Sequence, residues 1–139
     1  MDPAIELSLE IAKLAVAIVG AIFVAGYWNQ QKHRLEQYRY LDEAYNGILQ
    51  AYFDHPRFGQ ADLTRRYREA FTDDDYGRYH FFSMRVNTFL ESIYDLSEGE
   101  IPPVWKHIFR HHAMLHHAWL QDHRDLHESG YVRHVVNLT

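Results

Sequence analysis

Hydrophobic positions are unevenly spread along this chain, and the densest run lies near its start. From Leu14 to Trp28 it reads LAVAIVGAIFVAGYW, with no charged or strongly polar residue. A helix on the surface of a soluble fold carries a polar stripe; one that is apolar all round lies in a core or in lipid. With Ile11 and Ala12 the stretch covers 11–28, about 27 Å at the ~1.5 Å helical rise and slightly short of a hydrocarbon core. Lys13 is placed to snorkel to headgroups at one end, and Tyr27 and Trp28 close the other as an interfacial aromatic belt.

Three readings compete for this segment. A cleavable signal peptide wants a basic start, yet Asp2, Glu6 and Glu10 precede Lys13. A buried soluble helix would show polar positions at helical spacing. The flanks favour an uncleaved single-pass anchor. Lys32, His33, Arg34 and Arg39 follow the span and acidic residues precede it, which predicts the N-terminus outside and the C-terminal part in the cytoplasm. The expected division is an anchor over 1–30 and a cytoplasmic helical domain over 31–139. Within the span Ala17, Ala21 and Ala25 recur every four residues beside Gly20 and Gly26. That gives one side flat enough for close packing against another membrane protein or a second copy, although alanine is also simply common in such helices.

Beyond the span the period becomes that of amphipathic helices. Leu35, Tyr38, Leu41, Tyr45, Ile48, Leu49 and Tyr52 keep a three-and-four spacing, and Asp54-His55-Pro56 ends the helix because proline disfavours a helical residue before it. A short helix is predicted over Ala61–Phe71. Thr72 before three aspartates reads as an N-cap, with Phe82, Val86, Phe89, Ile93 and Leu96 as the buried stripe and Gly99 as the stop. Pro102-Pro103 opens the next helix, whose apolar positions Trp105, Ile108, Leu115 and Trp119 run until Ser129-Gly130 breaks the chain. The fold class is all-α: one transmembrane helix followed by a small helical bundle.

Composition narrows the chemistry. Without cysteine there are no disulfides, thiolate metal sites or thiol nucleophiles. A net charge of -5, from 14 basic and 19 acidic residues, gives no global attraction to nucleic acid. The span carries no histidine to ligate a haem or chlorophyll and no mid-span charge to suggest an ion path. Arg65, Arg66 and Arg68 read as a solvated helix face, with a phosphate or anionic-lipid contact as the lesser reading.

One stretch stands out chemically: KHIFRHHAMLHHAWLQDH, 106–123, holds six of eleven histidines. On an unbroken helix His112, His116, His123 and His127 fall within roughly 60° of one another. That makes a histidine-rich zinc-binding or metal-sensing protein the alternative reading. Against it, the same stripe must pack on the preceding helices, and neither H-E-x-x-H nor Glu-x-x-His occurs. The imidazoles could equally titrate as a pH sensor, or be held in ordinary hydrogen bonds by tyrosine, arginine and aspartate. There is no phosphate-cradling glycine loop, no G-x-S-x-G elbow and no His-Asp dipeptide, so no enzyme is expected.

The runs YRYLDEAYNGILQAYFDHPRF, YHFFSMRVNTFLESIYDLSEGEIPPVW and WLQDHRDLHESGYVRHVV resemble a group of small bacterial membrane proteins classed as domains of unknown function. Asn87, Glu91 and Tyr94 carry part of that likeness; the many histidines over 107–127 depart from it. The resemblance implies one N-terminal span with a helical cytoplasmic tail and brings no activity with it. The expected role is a non-catalytic accessory or assembly subunit of a larger membrane complex. A membrane-oligomerising stress or defence effector is a further class, without specific support.

Overall fold

Helix α1 (Pro3–Asp54) stops where the sequence says it should. His55 leaves the helical region, and Pro56 starts a single 3₁₀ turn over Pro56–Gly59. The computed structural model describes the backbone of residues 3–138 and the side chains of residues 11–138; the acidic side chains of Asp2, Glu6 and Glu10 lie outside those described. Every regular element among the described residues is helical. After α1 come α2 (Ala61–Arg65), α3 (Tyr67–Ala70), α4 (Asp73–Leu96), α5 (Pro103–Leu115), α6 (His117–Asp122) and α7 (Ser129–Val136).

The chain divides into two compact units, Met1–Tyr40 and Leu41–Thr139. In the first, one helix near the N-terminus is long and apolar enough to cross a membrane, and its apolar window is wholly unburied within the chain. Its large apolar side chains, from Ile11 to Trp28, are 52–74% exposed. Lys13, Ala17, Gly20, Ala21, Ala25, Lys32 and Arg34 are exposed as well, and the rings of Tyr27 and Trp28 meet edge to face at 6.4 Å.

The second unit is a bundle built on α4, which packs against α5, α6 and α7, while α2 covers α5 and α6. Phe82, Val86, Phe89, Leu90 and Ile93 form the buried stripe of α4, as its spacing predicts, but Leu96 is exposed. From α1 only Leu41 and Ile48 are fully buried, with Tyr45 and Tyr52 half-buried; Leu35, Tyr38 and Leu49 face outward. The single stripe expected over 35–52 therefore covers the core only in part.

Local signals fared unevenly. The helix expected over Ala61–Phe71 is two short helices, broken at Arg66. Thr72 occupies the N-cap position of α4 without a side-chain hydrogen bond, and Asp73 sits at φ 51°. The C-terminus of α4 is a Schellman turn: Gly99 N–H donates to Tyr94 O at 2.9 Å and Glu98 N–H to Asp95 O at 3.1 Å. Glu98, not Gly99, holds the first left-handed position, at φ 53°, with Gly99 following at φ 83°. A β-carbon in that region costs about 1–2 kcal/mol. Glu98→Gly is therefore expected to stabilise the bundle by about 0.5–1 kcal/mol after the loss of chain entropy, read as a raised unfolding midpoint. Ser129-Gly130 does not break the chain. It begins α7, and the break falls earlier, around the 3₁₀ turn Arg124–Leu126.

Candidate functional site

The histidine-rich stretch does not form one helix. His116 (φ -105°, ψ 19°) separates α5 from α6, and His123 (φ -126°, ψ 35°) ends α6. The common face expected for His112, His116, His123 and His127 assumed an unbroken helix. These two breaks divide the four residues among three separate sets of partners.

His112 and His116 meet on Tyr52, from the last turn of α1. The Tyr52 hydroxyl lies 3.0 Å from His112 Nδ1 and 2.8 Å from His116 Nε2. On the other side of the His116 ring, Nδ1 lies 3.0 Å from the Tyr79 hydroxyl and 3.4 Å from Ser83 Oγ, both on α4. His116 is 0% exposed and His112 4%. A neutral imidazole has one N–H and one lone pair, so each His116 nitrogen plays the opposite role to the other. Donation runs along the chain Tyr79, His116, Tyr52, His112 in one direction or the other according to the His116 tautomer. In either direction both His116 nitrogens and His112 Nδ1 have a hydroxyl partner.

The surroundings hold this network neutral. Burial pulls the His112 imidazole down to about 4 and the His116 imidazole down to about 3, with smaller contributions from neighbouring histidines. Burial pushes the Tyr52 and Tyr79 phenols upward. Phe82 packs edge-on against both Tyr52 (4.9 Å) and His116 (5.5 Å). The two imidazole nitrogens that an i,i+4 pair would turn toward a metal are thus both engaged by one hydroxyl. A phenol kept protonated by burial is a poor replacement ligand.

His123 and His127 are placed differently. His123 stacks on the Trp119 indole at 4.4 Å, and its Nδ1 lies 2.8 Å from Trp119 O. Trp119 Nε1–H in turn donates to His80 Nδ1 at 3.2 Å. His127, with its side chain 1% exposed, pairs through Nδ1 with Glu91 Oε2 at 2.8 Å and leaves Nε2 buried without a hydrogen-bond partner. The other Glu91 oxygen accepts the Glu128 N–H at 2.6 Å, and Asn87 accepts the Tyr131 hydroxyl at 2.8 Å. Asn87 and Glu91 therefore fasten α7 and the turn before it to α4. Among the described residues no three histidine, aspartate or glutamate side chains form a group that could hold a metal ion.

The arginine group is partly engaged too. Arg68 Nε–H donates to Asp122 Oδ2 at 3.0 Å, the same oxygen that accepts the Tyr67 hydroxyl at 2.6 Å. Burial, reinforced by that carboxylate, pushes the Tyr67 phenol up to about 12.

Hydrogen bonding by tyrosine, one of the readings open from the sequence, describes His112 and His116. Tyr79, Ser83 and His80 were not singled out by sequence reasoning. The one available signal was that Tyr52 and Tyr79 put hydroxyls on buried faces, where a phenol needs a polar partner. Comparison of the chain with family models, curated proteins and solved structures returned no match.

Proposed function

We propose that this protein is a non-catalytic accessory or assembly subunit, anchored in a bacterial inner membrane by α1 and joined there to a larger integral membrane complex or to a second copy. The observation that carries the reading is the uncovered apolar helix. Eight side chains, Ile11, Leu14, Val16, Ile18, Val19, Ile22, Phe23 and Val24, are each more than half exposed. Burying such a side chain gains about 1.5–3 kcal/mol, so leaving all eight in water forfeits about 12–24 kcal/mol. That is as large as the ~5–15 kcal/mol by which a domain is ordinarily stable, a gain that supports a cover of lipid or protein. Gly20 opens onto free space beside Ala17, and with Ala21 and Ala25 leaves that side low enough for another helix to approach. The bundle supports a binding role rather than a reaction in that two of its buried imidazoles, His112 and His116, are engaged with tyrosines and held neutral.

Two experiments test this. The chain has no cysteine, so single cysteines report topology cleanly. In intact cells Ser8→Cys is expected to react with an impermeant maleimide and Asp125→Cys only after permeabilisation; the reverse pattern overturns the orientation. Gentle crosslinking and mass spectrometry on native membranes, with metal analysis of the same sample, tests the partner. A defined partner crosslinked near Ala17, Ala21 or Ala25 is expected. A lone monomer, or stoichiometric zinc that survives chelation and is lost in His112→Ala, would sink the accessory reading.

A further inference from the structure

A cleft of about 370 Å³ lies where the Schellman turn, the first half of α5 and the end of the chain meet. Its apolar lining is Ile101, Phe109 and Leu138, and its basic lining is Lys106, Arg110 and His134. Phe109 is buried and His134 half-buried, and the two rings meet edge to face at 5.6 Å, so the floor is fixed. Lys106 and Arg110 stand at i and i+4 on one face of α5, exposed at the mouth. Neither side chain makes a hydrogen bond or ion pair among the described residues. Arg57 and Arg68, by contrast, pair with Asp75 and Asp122.

Lys106 and Arg110 thus bring two cations to an aromatic floor in a chain with a net charge of -5. Glu100 also lines the cleft and offsets one of them. Lys106 and Arg110 against Glu100 leave one positive charge at the mouth of the cleft. The volume lies in the range of small-molecule sites, about 300–1,000 Å³, and the pairing of an apolar body with a few polar groups is what such sites use to orient a ligand.

We propose that this cleft binds a monoanionic amphiphile, a carboxylate or phosphodiester with a short apolar body. Its charge lies between Lys106 and Arg110, and its apolar part lies on Phe109, Ile101 and Leu138. Arginine supplies a planar fork for two anionic oxygens and lysine a point charge beside it. The ligand's chemistry is common to a soluble carboxylate and an anionic lipid headgroup, and the two sources can be told apart. The site stands independently of the accessory-subunit reading.

The test is equilibrium binding of radiolabelled decanoate, below its micelle concentration, to the full chain in phosphatidylcholine nanodiscs, with empty nanodiscs subtracted. One saturable site per chain is expected, weakened at least tenfold in the Lys106→Ala/Arg110→Ala double variant. Both residues are exposed, so circular dichroism is expected to show an intact bundle in that variant. Glu100→Gln is expected to tighten binding several-fold by removing the opposing charge. Displacement by dihexanoylphosphatidylglycerol and not by dihexanoylphosphatidylcholine identifies a lipid headgroup as the source; displacement by neither identifies a soluble carboxylate. Non-saturable uptake, or binding unchanged in the double variant, overturns the site.

Discussion

His116→Ala is expected to destabilise the bundle by about 4 kcal/mol, combining the cavity left by a large buried ring with the lost partners of the hydroxyls around it. The ring is fully buried, and its removal takes the imidazole partner from Tyr79 and one of two imidazole partners from Tyr52. A loss of that size approaches the whole stability of many small domains. The informative comparison is His107→Ala, at an exposed position in the same stretch, where a change within about 0.5 kcal/mol is expected. Chemical denaturation of the full chain in detergent, followed through the near-ultraviolet tryptophan signal, measures both. Equal effects at the two positions would contradict the division into structural and surface histidines. Tyr52→Phe, which removes one hydroxyl and strands two imidazole nitrogens, is expected to fall between them.

Acid is expected to weaken the bundle well before its carboxylates titrate. His112 and His116 ionise at about 4 and about 3 in the folded chain, against an ordinary 6.5. Below pH 6.5 the unfolded chain therefore binds protons that the folded chain refuses, and stability falls as pH falls. Above 6.5 both states are neutral at these positions and the dependence vanishes. Each histidine contributes about 1.4 kcal/mol per pH unit within the window, so the pair removes about 4 kcal/mol between pH 6.5 and 5. Burial also holds His80 and His117 below their ordinary value, which adds to the loss in the same direction. Thermal unfolding at pH 7.5, 6.5, 5.8 and 5 is expected to show a flat region and then a steep fall. In His112→Gln, which keeps a polar side chain and loses one titration, the slope between 6.5 and 5 is expected to drop by about half of the pair's share. A profile flat to pH 5 in the parent chain would show that the buried pair takes up protons freely.

Local and one-dimensional features were legible in the sequence. The apolar helix over 11–28 is visible because nothing in LAVAIVGAIFVAGYW interrupts it, and the end of α1 at Asp54 because Pro56 cannot continue a helix. The stripe of α4 and the start of α5 at Pro103 followed from spacing and from proline's fixed φ. Features that depend on where two distant segments meet were less legible. The helix spacing of the histidines is regular, yet α5 and α6 are offset at His116, where the ring lies between a phenol from α1 and another from α4. Those phenols lie 64 and 37 residues away in sequence, and no local pattern encodes the pairing.

The sequence by itself determined that the chain is helical, that one helix is apolar on every side, and where proline divides the rest. Each is a property of neighbouring residues, decided by backbone sterics and by the distribution of apolar side chains over a few turns. Only the tertiary structure decided which histidines are buried, that Tyr52 joins two of them, that Glu91 takes a third, and that Lys106 and Arg110 are left over an aromatic floor. The physical reason is that a buried polar side chain must find a partner wherever the fold brings one, and that partner belongs to another helix. An imidazole on a regular stripe is compatible with a metal ligand, a proton acceptor or a scaffold, and the groups that lie opposite it are set by the fold rather than by its neighbours in sequence.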